Sequence, residues 1–264
     1  MLAFLAGMLQ LRAATVDTLV VRSERMHKDI KVVVVAPSGK KAVSTLYLLH
    51  GYSGNYARWL YTAPQLTELV DRYAYLVVCP DGGYDSWYWD SSPEVQYESY
   101  ITKELIPFIE KQYGVGHDRT QRAISGFSMG GHGALYLAFR HQDLFAFAGS
   151  TSGGVDIRPF PDNWGMKKYL GAYDENPAAW NAHTVMELTH LIKPKSLKLF
   201  IDCGTEDFFL EVNNKLHEKL NYLRIPHQYL TMPGQHNDAY WRRSIDYQMA
   251  FFAQCFAEAS AQVD

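Results

Sequence analysis

Short runs of apolar, β-favouring residues alternate along the chain with longer stretches in which apolar residues recur every three to four positions. The runs at residues 18–21, 31–35, 45–49, 75–79, 121–125, 146–150, 197–203 and 227–231 read as eight strands. The periodic stretches 64–73, 97–113, 129–141, 211–224 and 238–256 read as helices. In the second of them, Ile101, Leu105, Phe108 and Ile109 form one expected apolar stripe, with Lys103, Glu104 and Lys111 mostly outside it. A short connection between the first two strands suits an antiparallel start. From residue 45 onward most gaps between strands are long enough for a helix. That alternation predicts an α/β fold, a mainly parallel eight-stranded sheet with helices on both faces. The stretch 153–191, between the sixth and seventh strands, is longer than a simple crossover and rich in Pro, Trp and Asn. It is expected to hold an insertion of short helices that forms a lid or cap.

Composition narrows this picture. At 264 residues with 47% hydrophobic and 14% aromatic side chains, the chain can bury a sizeable core and lies far from disordered, collagenous or coiled-coil compositions. No repeat, low-complexity tract or linker divides it, so residues 15–264 read as one domain. Lys and Arg number 25 against 28 acids, for a net charge of −3, and no basic block is present to grip a polyanion; nucleic acid is excluded as a partner. Cys79, Cys203 and Cys255 are too few and too widely spaced for a disulfide framework or a zinc site, and read as buried free thiols. The apolar N-terminus is far short of the roughly 20 residues of a membrane span. Residues 1–14 read instead as the remnant of a secretory signal, without its positively charged leader, or as a tail; the former implies a periplasmic or secreted protein.

The chemistry concentrates at few places. Gly126-Phe127-Ser128-Met129-Gly130 is a Gly-x-Ser-x-Gly motif between a predicted strand and a predicted helix, the context of a nucleophile elbow. A serine on so sharp a turn projects its hydroxyl off the sheet, which makes Ser128 the candidate nucleophile. A serine hydroxyl needs an adjacent base, and the base an orienting carboxylate, in the chain order Ser, acid, His. Among the downstream histidines only His236 lies in a loop after the last predicted strand, where Pro233-Gly234 breaks the strand and Asn237 or Asp238 can cap the next helix. For the acid, Asp207 lies beyond the end of the seventh strand, past the bend at Gly204; Glu206 and Asp202 are poorer alternatives. Acyl transfer also needs donors for an oxyanion, and the backbone amides of Met129 and Tyr52 occupy the expected positions, after the nucleophile and after the third strand.

The strings LLHGYSGN (48–55), GFSMGGHGAL (126–135), CGTEDF (203–208) and PGQHNDAYW (233–241) resemble the esterase D-like family of α/β-hydrolases. That family includes feruloyl and acetylxylan esterases, S-formylglutathione hydrolase and the mycolyltransferases. The likeness runs from about residue 16 to 256 and looks closest to the carbohydrate-esterase branch, carbohydrate esterase family 1. It implies Ser128 as nucleophile, Asp207 as acid, His236 as base, and the Tyr52 and Met129 amides as the oxyanion hole.

The substrate is less legible. Trp87 and Trp89, in the loop after the fourth strand, are adjacent aromatics that could stack on a sugar or phenolic ring, or simply cover the helix behind them. Trp164 in the insertion and Trp241 beside His236 are further wall candidates. With no His-Glu-x-x-His and no phosphate loop, the expected chemistry needs neither metal nor cofactor. The residues point to a serine esterase, and the resemblance implies that it acts on feruloyl or acetyl esters of xylan or its oligosaccharides. The alternatives are an S-formylglutathione hydrolase or general short-chain thioesterase, a mycolyl-type acyltransferase, and a catalytically silent carbohydrate-binding module.

Overall fold

A computed structural model describes residues 13–261. The segment 1–12, which carries most of the signal-remnant reading, lies outside the described residues.

Eight strands form one sheet: β1 (Thr15–Ser23), β2 (Lys28–Ala36), β3 (Thr45–Leu49), β4 (Leu76–Pro80), β5 (Arg122–Gly126), β6 (Phe147–Thr151), β7 (Lys198–Gly204) and β8 (His227–Met232). Their order across the sheet is β1-β2-β4-β3-β5-β6-β7-β8. β1 pairs antiparallel with β2, and β2 with β4, whereas every pairing from β4 to β8 is parallel. β3 to β6 are buried along their whole length, as central parallel strands covered on both faces must be. β1, at the edge, is mostly exposed.

The strands' alternating side chains feed two apolar clusters. Tyr47, Val78, Ile124, Ala148 and Ile201 point to the side covered by α2 (Ile106–Tyr113), α3 (Met129–Arg140) and α4 (Leu210–Tyr222). Leu46, Val77, Ala123 and Phe200 point to the opposite side, covered by α1 (Leu66–Tyr73) and α5 (Asp238–Ser260). Cys79, Cys203 and Cys255 are buried free thiols. Among the described residues no helix is long and apolar enough to cross a membrane.

The stretch expected as one helix over 97–113 is three segments: a short α-turn at Tyr97–Ser99, a π-helical turn at Tyr100–Leu105, and α2. Pro107, without an N–H, cannot make the usual helical bond to the preceding turn, and the wider π register absorbs the defect. The extra residue rotates the following face. Ile101, Leu105 and Ile109 are buried, but Phe108, placed in the same stripe by sequence, faces solvent. The segment 153–191 folds as short helical pieces at Lys167–Leu170, Pro177–Ala182, Val185–Leu188 and Thr189–Leu191.

Candidate active site

Ser128, Asp207 and His236 lie beyond the carboxyl ends of the parallel strands, where successive loops converge. β5 leads into α3 through Phe127 and Ser128, and Ser128 adopts φ 56°, ψ −120°. This left-handed backbone costs a non-glycine residue about 1–3 kcal/mol and persists only where surroundings impose it. Here the Ser128 amide donates to the Thr151 carbonyl at the end of β6 (3.0 Å), and its carbonyl accepts from the His132 amide (3.0 Å). Helix α3 can start this close to β3 only because residue 130 is glycine: a Cβ there would stand 2.4 Å from the Leu49 carbonyl oxygen.

His236 follows β8, and Asp207 follows β7. The two loops are tied together, since Thr205 N–H donates to Met232 O and Glu206 N–H to Gly234 O, each at 2.9 Å. Adjacent parallel strands thus bring Asp207 and His236 side by side. His236 Nδ1 lies 2.9 Å from Asp207 Oδ2 and 3.1 Å from Oδ1, and His236 Nε2 lies 2.9 Å from Ser128 Oγ. The Asp207 carboxylate is buried and also accepts the Phe209 amide at 2.8 Å. Its position holds the Nδ1–H tautomer of His236 and leaves Nε2 as an acceptor for the serine proton.

The alternatives for the acid lie elsewhere. Glu206 turns away and accepts from the exposed Gln235 amide (3.1 Å). Asp202 is buried beneath α5 among Thr151, Ser244 and Gln248. The helix cap beside His236 is Asn237, whose side chain accepts the Tyr240 amide; Asp238 instead pairs with Arg58 (2.8 Å) and Thr62 (2.7 Å).

Met129 is the first residue of α3, so its amide is one of the helix's unpaired N-terminal donors. Tyr52 lies in the turn after β3. Among the described residues neither amide donates to another backbone group outside the regular elements. Tyr52 lines a cavity of about 280 Å³ together with Ser128, His236, Arg58, Phe127, Trp164, Phe208 and Trp241, and Met129 directly follows the lining residue Ser128.

The four tryptophans divide. Trp164 and Trp241 reach the cavity wall. Trp241 stacks on Phe127 (4.2 Å between ring centroids) and meets His236 edge-on (5.1 Å). Trp87 and Trp89 do not: they are 1% and 0% exposed, and substrate stacking by them is excluded. Trp87 and Tyr88 take positive φ values of 51° and 63°, and this tight left-handed turn drives the rings inward. There they cover α3. Trp89 Nε1–H donates to His132 Nε2 (3.1 Å), His132 Nδ1–H is left to donate to the Gly154 carbonyl (2.9 Å), and burial pushes the His132 pKa down to about 3. Trp87 sits behind Trp164 and donates to its carbonyl at 3.4 Å.

Phe208 and Arg58 also line the cavity and were not singled out by sequence. Phe208 is half exposed, packs 4.3 Å from His236 and stacks on Trp164 (5.8 Å). Its signal was present, an aromatic directly after the candidate acid. Arg58 carries no such signal, because its partner Asp238 is 180 residues away.

An acetyl esterase from Caldicellulosiruptor saccharolyticus is 26% identical over 84% of this chain and 92% of its own length. The fluorophosphonate-binding serine hydrolase FphF of Staphylococcus aureus superposes with a TM-score of 0.81 at 21% identity, over 91% of this chain and 98% of that one. A ferulic acid esterase structure gives a TM-score of 0.79 at 24% identity, over 92% and 98%. Matches also include an S-formylglutathione hydrolase from Staphylococcus aureus and the MPT51/MPB51 antigen of Mycobacterium bovis, of which this chain spans 57%. These structural likenesses establish the α/β-hydrolase fold. The family model described as "Putative esterase" matches residues 23–252, and the chain belongs to that esterase family.

Proposed function

We propose that the protein is a serine carboxylesterase that removes acetyl or feruloyl groups from plant-cell-wall carbohydrate through an acyl-enzyme on Ser128. The observation that carries the proposal is the unbroken chain Ser128 Oγ, His236, Asp207, of which Ser128 and His236 line a cavity. In the acylation step Ser128 Oγ bonds to the ester carbonyl carbon while its proton passes to His236 Nε2. Asp207 stabilises the resulting imidazolium, and the carbonyl oxygen becomes an oxyanion received by the Tyr52 and Met129 amides. Collapse breaks the ester C–O bond, and the Nε2 proton goes to the departing sugar hydroxyl. Water, deprotonated by the same imidazole, then attacks the acyl-enzyme, and the proton returns to Ser128 as the acid leaves.

The acyl choice is supported by the size and lining of the cavity. About 280 Å³ with Trp164, Phe208 and Trp241 around it has room for an acetyl group or one aromatic ring. The names of an acetyl esterase relative and a ferulic acid esterase neighbour agree with that reading.

The test is kcat/KM on p-nitrophenyl acetate, methyl ferulate and acetylated xylan, with Ser128→Ala as the blank. Turnover of acetylated xylan or methyl ferulate that vanishes in the blank is the expected result. Inert sugar esters alongside rapid S-formylglutathione hydrolysis, or acyl transfer to an added sugar in place of water, would overturn it.

A further inference from the structure

His50, the residue after β3, is fully buried, and both of its ring nitrogens are engaged. The Gly82 amide donates to Nε2 at 2.8 Å, so that nitrogen carries a lone pair and the ring proton sits on Nδ1. Nδ1 lies 2.8 Å from the Gly51 carbonyl oxygen, to which it donates. Burial lowers the imidazole's pKa and keeps it in this neutral form. The Gly82 amide can come so near only because residue 82 has no side chain: a Cβ there would stand 2.3 Å from the Tyr88 ring. The His50 carbonyl in turn accepts the Tyr88 hydroxyl at 2.9 Å, so the residue is held at both ends by the loop after β4.

The carbonyl that His50 holds belongs to the same peptide unit as the Tyr52 N–H. The unit is planar and trans, so its C=O and N–H point in opposite directions, and fixing one aims the other. We infer that His50 is a positioning residue for the oxyanion hole: its Nδ1–H anchors the Gly51 carbonyl and thereby aims the Tyr52 amide into the cavity that contains Ser128. The Gly54 amide also donates to the Gly51 carbonyl, at 3.1 Å, so the peptide has two anchors and loss of one tilts it without releasing it. Since removing an oxyanion donor outright lowers turnover about 10²- to 10³-fold, misaiming one should lower it about 10- to 100-fold.

This inference rests on the acyl-transfer reading of Ser128, and the experiment separates the two. Wild type, His50→Asn, His50→Gln and His50→Leu are compared for kcat and KM on p-nitrophenyl acetate, for the inhibition constant of phenylboronic acid, and for melting temperature. The boronate forms a tetrahedral adduct on the serine oxygen, so it reports on the oxyanion hole as an ester's ground state does not. Asn places an N–H where Nδ1 stood but offers Gly82 no acceptor. Gln offers Gly82 an acceptor but has no donor at the δ position, and Leu has neither.

His50→Asn should stay within about threefold of the wild-type kcat. His50→Gln and His50→Leu should lose about 10- to 100-fold in kcat, with KM within about threefold and boronate binding weakened by the same factor as kcat. These effects should not follow the order of melting temperatures. If Gln restores turnover and Asn does not, or if Gln and Leu keep wild-type kcat and boronate affinity, His50 only braces two loops and the inference is wrong. If wild type and Ser128→Ala hydrolyse the ester equally, the esterase reading itself fails and takes this inference with it.

Discussion

Asp202 and Asp207 stand five residues apart on one strand and its following turn, and both are buried, yet they are different chemical objects. Asp202 projects from β7 toward α5, where its oxygens accept from Thr151 Oγ1 (3.0 Å), Ser244 Oγ (2.8 Å) and Gln248 Nε2 (2.8 Å). None of these partners can carry charge, and burial pushes its pKa up to about 6. Asp207, past the strand end, faces an imidazole that itself touches a serine hydroxyl. Burial of a carboxyl group therefore does not mark a site. What marks it is a partner that must gain charge during a reaction, because only then does a nearby fixed negative charge lower a barrier.

The sharpest way to break this distinction is to remove charge from each carboxyl while keeping its shape. Asp207→Asn should leave the fold intact and lower kcat about 10⁴-fold, because the amide no longer stabilises the imidazolium or fixes its tautomer. Ser128→Ala or His236→Ala should each lower kcat about 10⁶-fold, and the double variant should lose little more, since the groups act as a unit. Steady-state kinetics on p-nitrophenyl acetate decides it. Additive losses in the double variant, or near-normal turnover by Asp207→Asn, would show that the hydrogen-bonded row is not the reacting unit.

A second contrast, between tryptophans, is smaller. Trp164→Ala should reduce kcat/KM for methyl ferulate about 3- to 10-fold more than for p-nitrophenyl acetate, since its ring lines the cavity. Trp87→Ala should instead cost about 3–5 kcal/mol in urea unfolding, with equal changes on both esters, because the ring is enclosed beside Trp89 and His132. The reverse pattern would mean that the loop after β4 opens to substrate in solution.

The same contrast shows what sequence can carry. The central strands were legible because buried parallel strands read as short apolar runs, and the eight runs coincide with β1 to β8 to within a few residues at the ends. Ser128, Asp207 and His236 were legible because each follows a strand in a fixed order, and the structure brings the three together. Whether Trp87 and Trp89 stack on substrate or cover the helix behind them was not legible, because their direction is set by two residues with positive φ, which leave no trace in hydrophobic periodicity. The π-turn before α2 was missed because Pro107 can be accommodated near a helix start as easily as it can distort a helix interior. Arg58 and the anchoring role of His50 depend on partners distant in sequence, Asp238 and Gly82, which no local pattern reveals.

The effect expected of Asp202 appears in stability, not turnover. With its native pKa raised to about 6 from the ordinary 3.8, the carboxyl binds its proton more tightly in the folded chain than in the unfolded one. Its contribution to stability is then full below about pH 3.8 and is lost as pH rises through about 6, for a total of about 3 kcal/mol. An amide of the same shape can still accept from Gln248 and can donate to Ser244, but it cannot ionise. Asp202→Asn should thus match wild type near pH 4 and exceed it by about 3 kcal/mol in urea unfolding near pH 8, with kcat unchanged at both. Parallel stability profiles across that range would mean that Asp202 loses its proton at the same pH in the folded and the unfolded chain, and the difference between the two carboxyl groups would then lie in their neighbours alone.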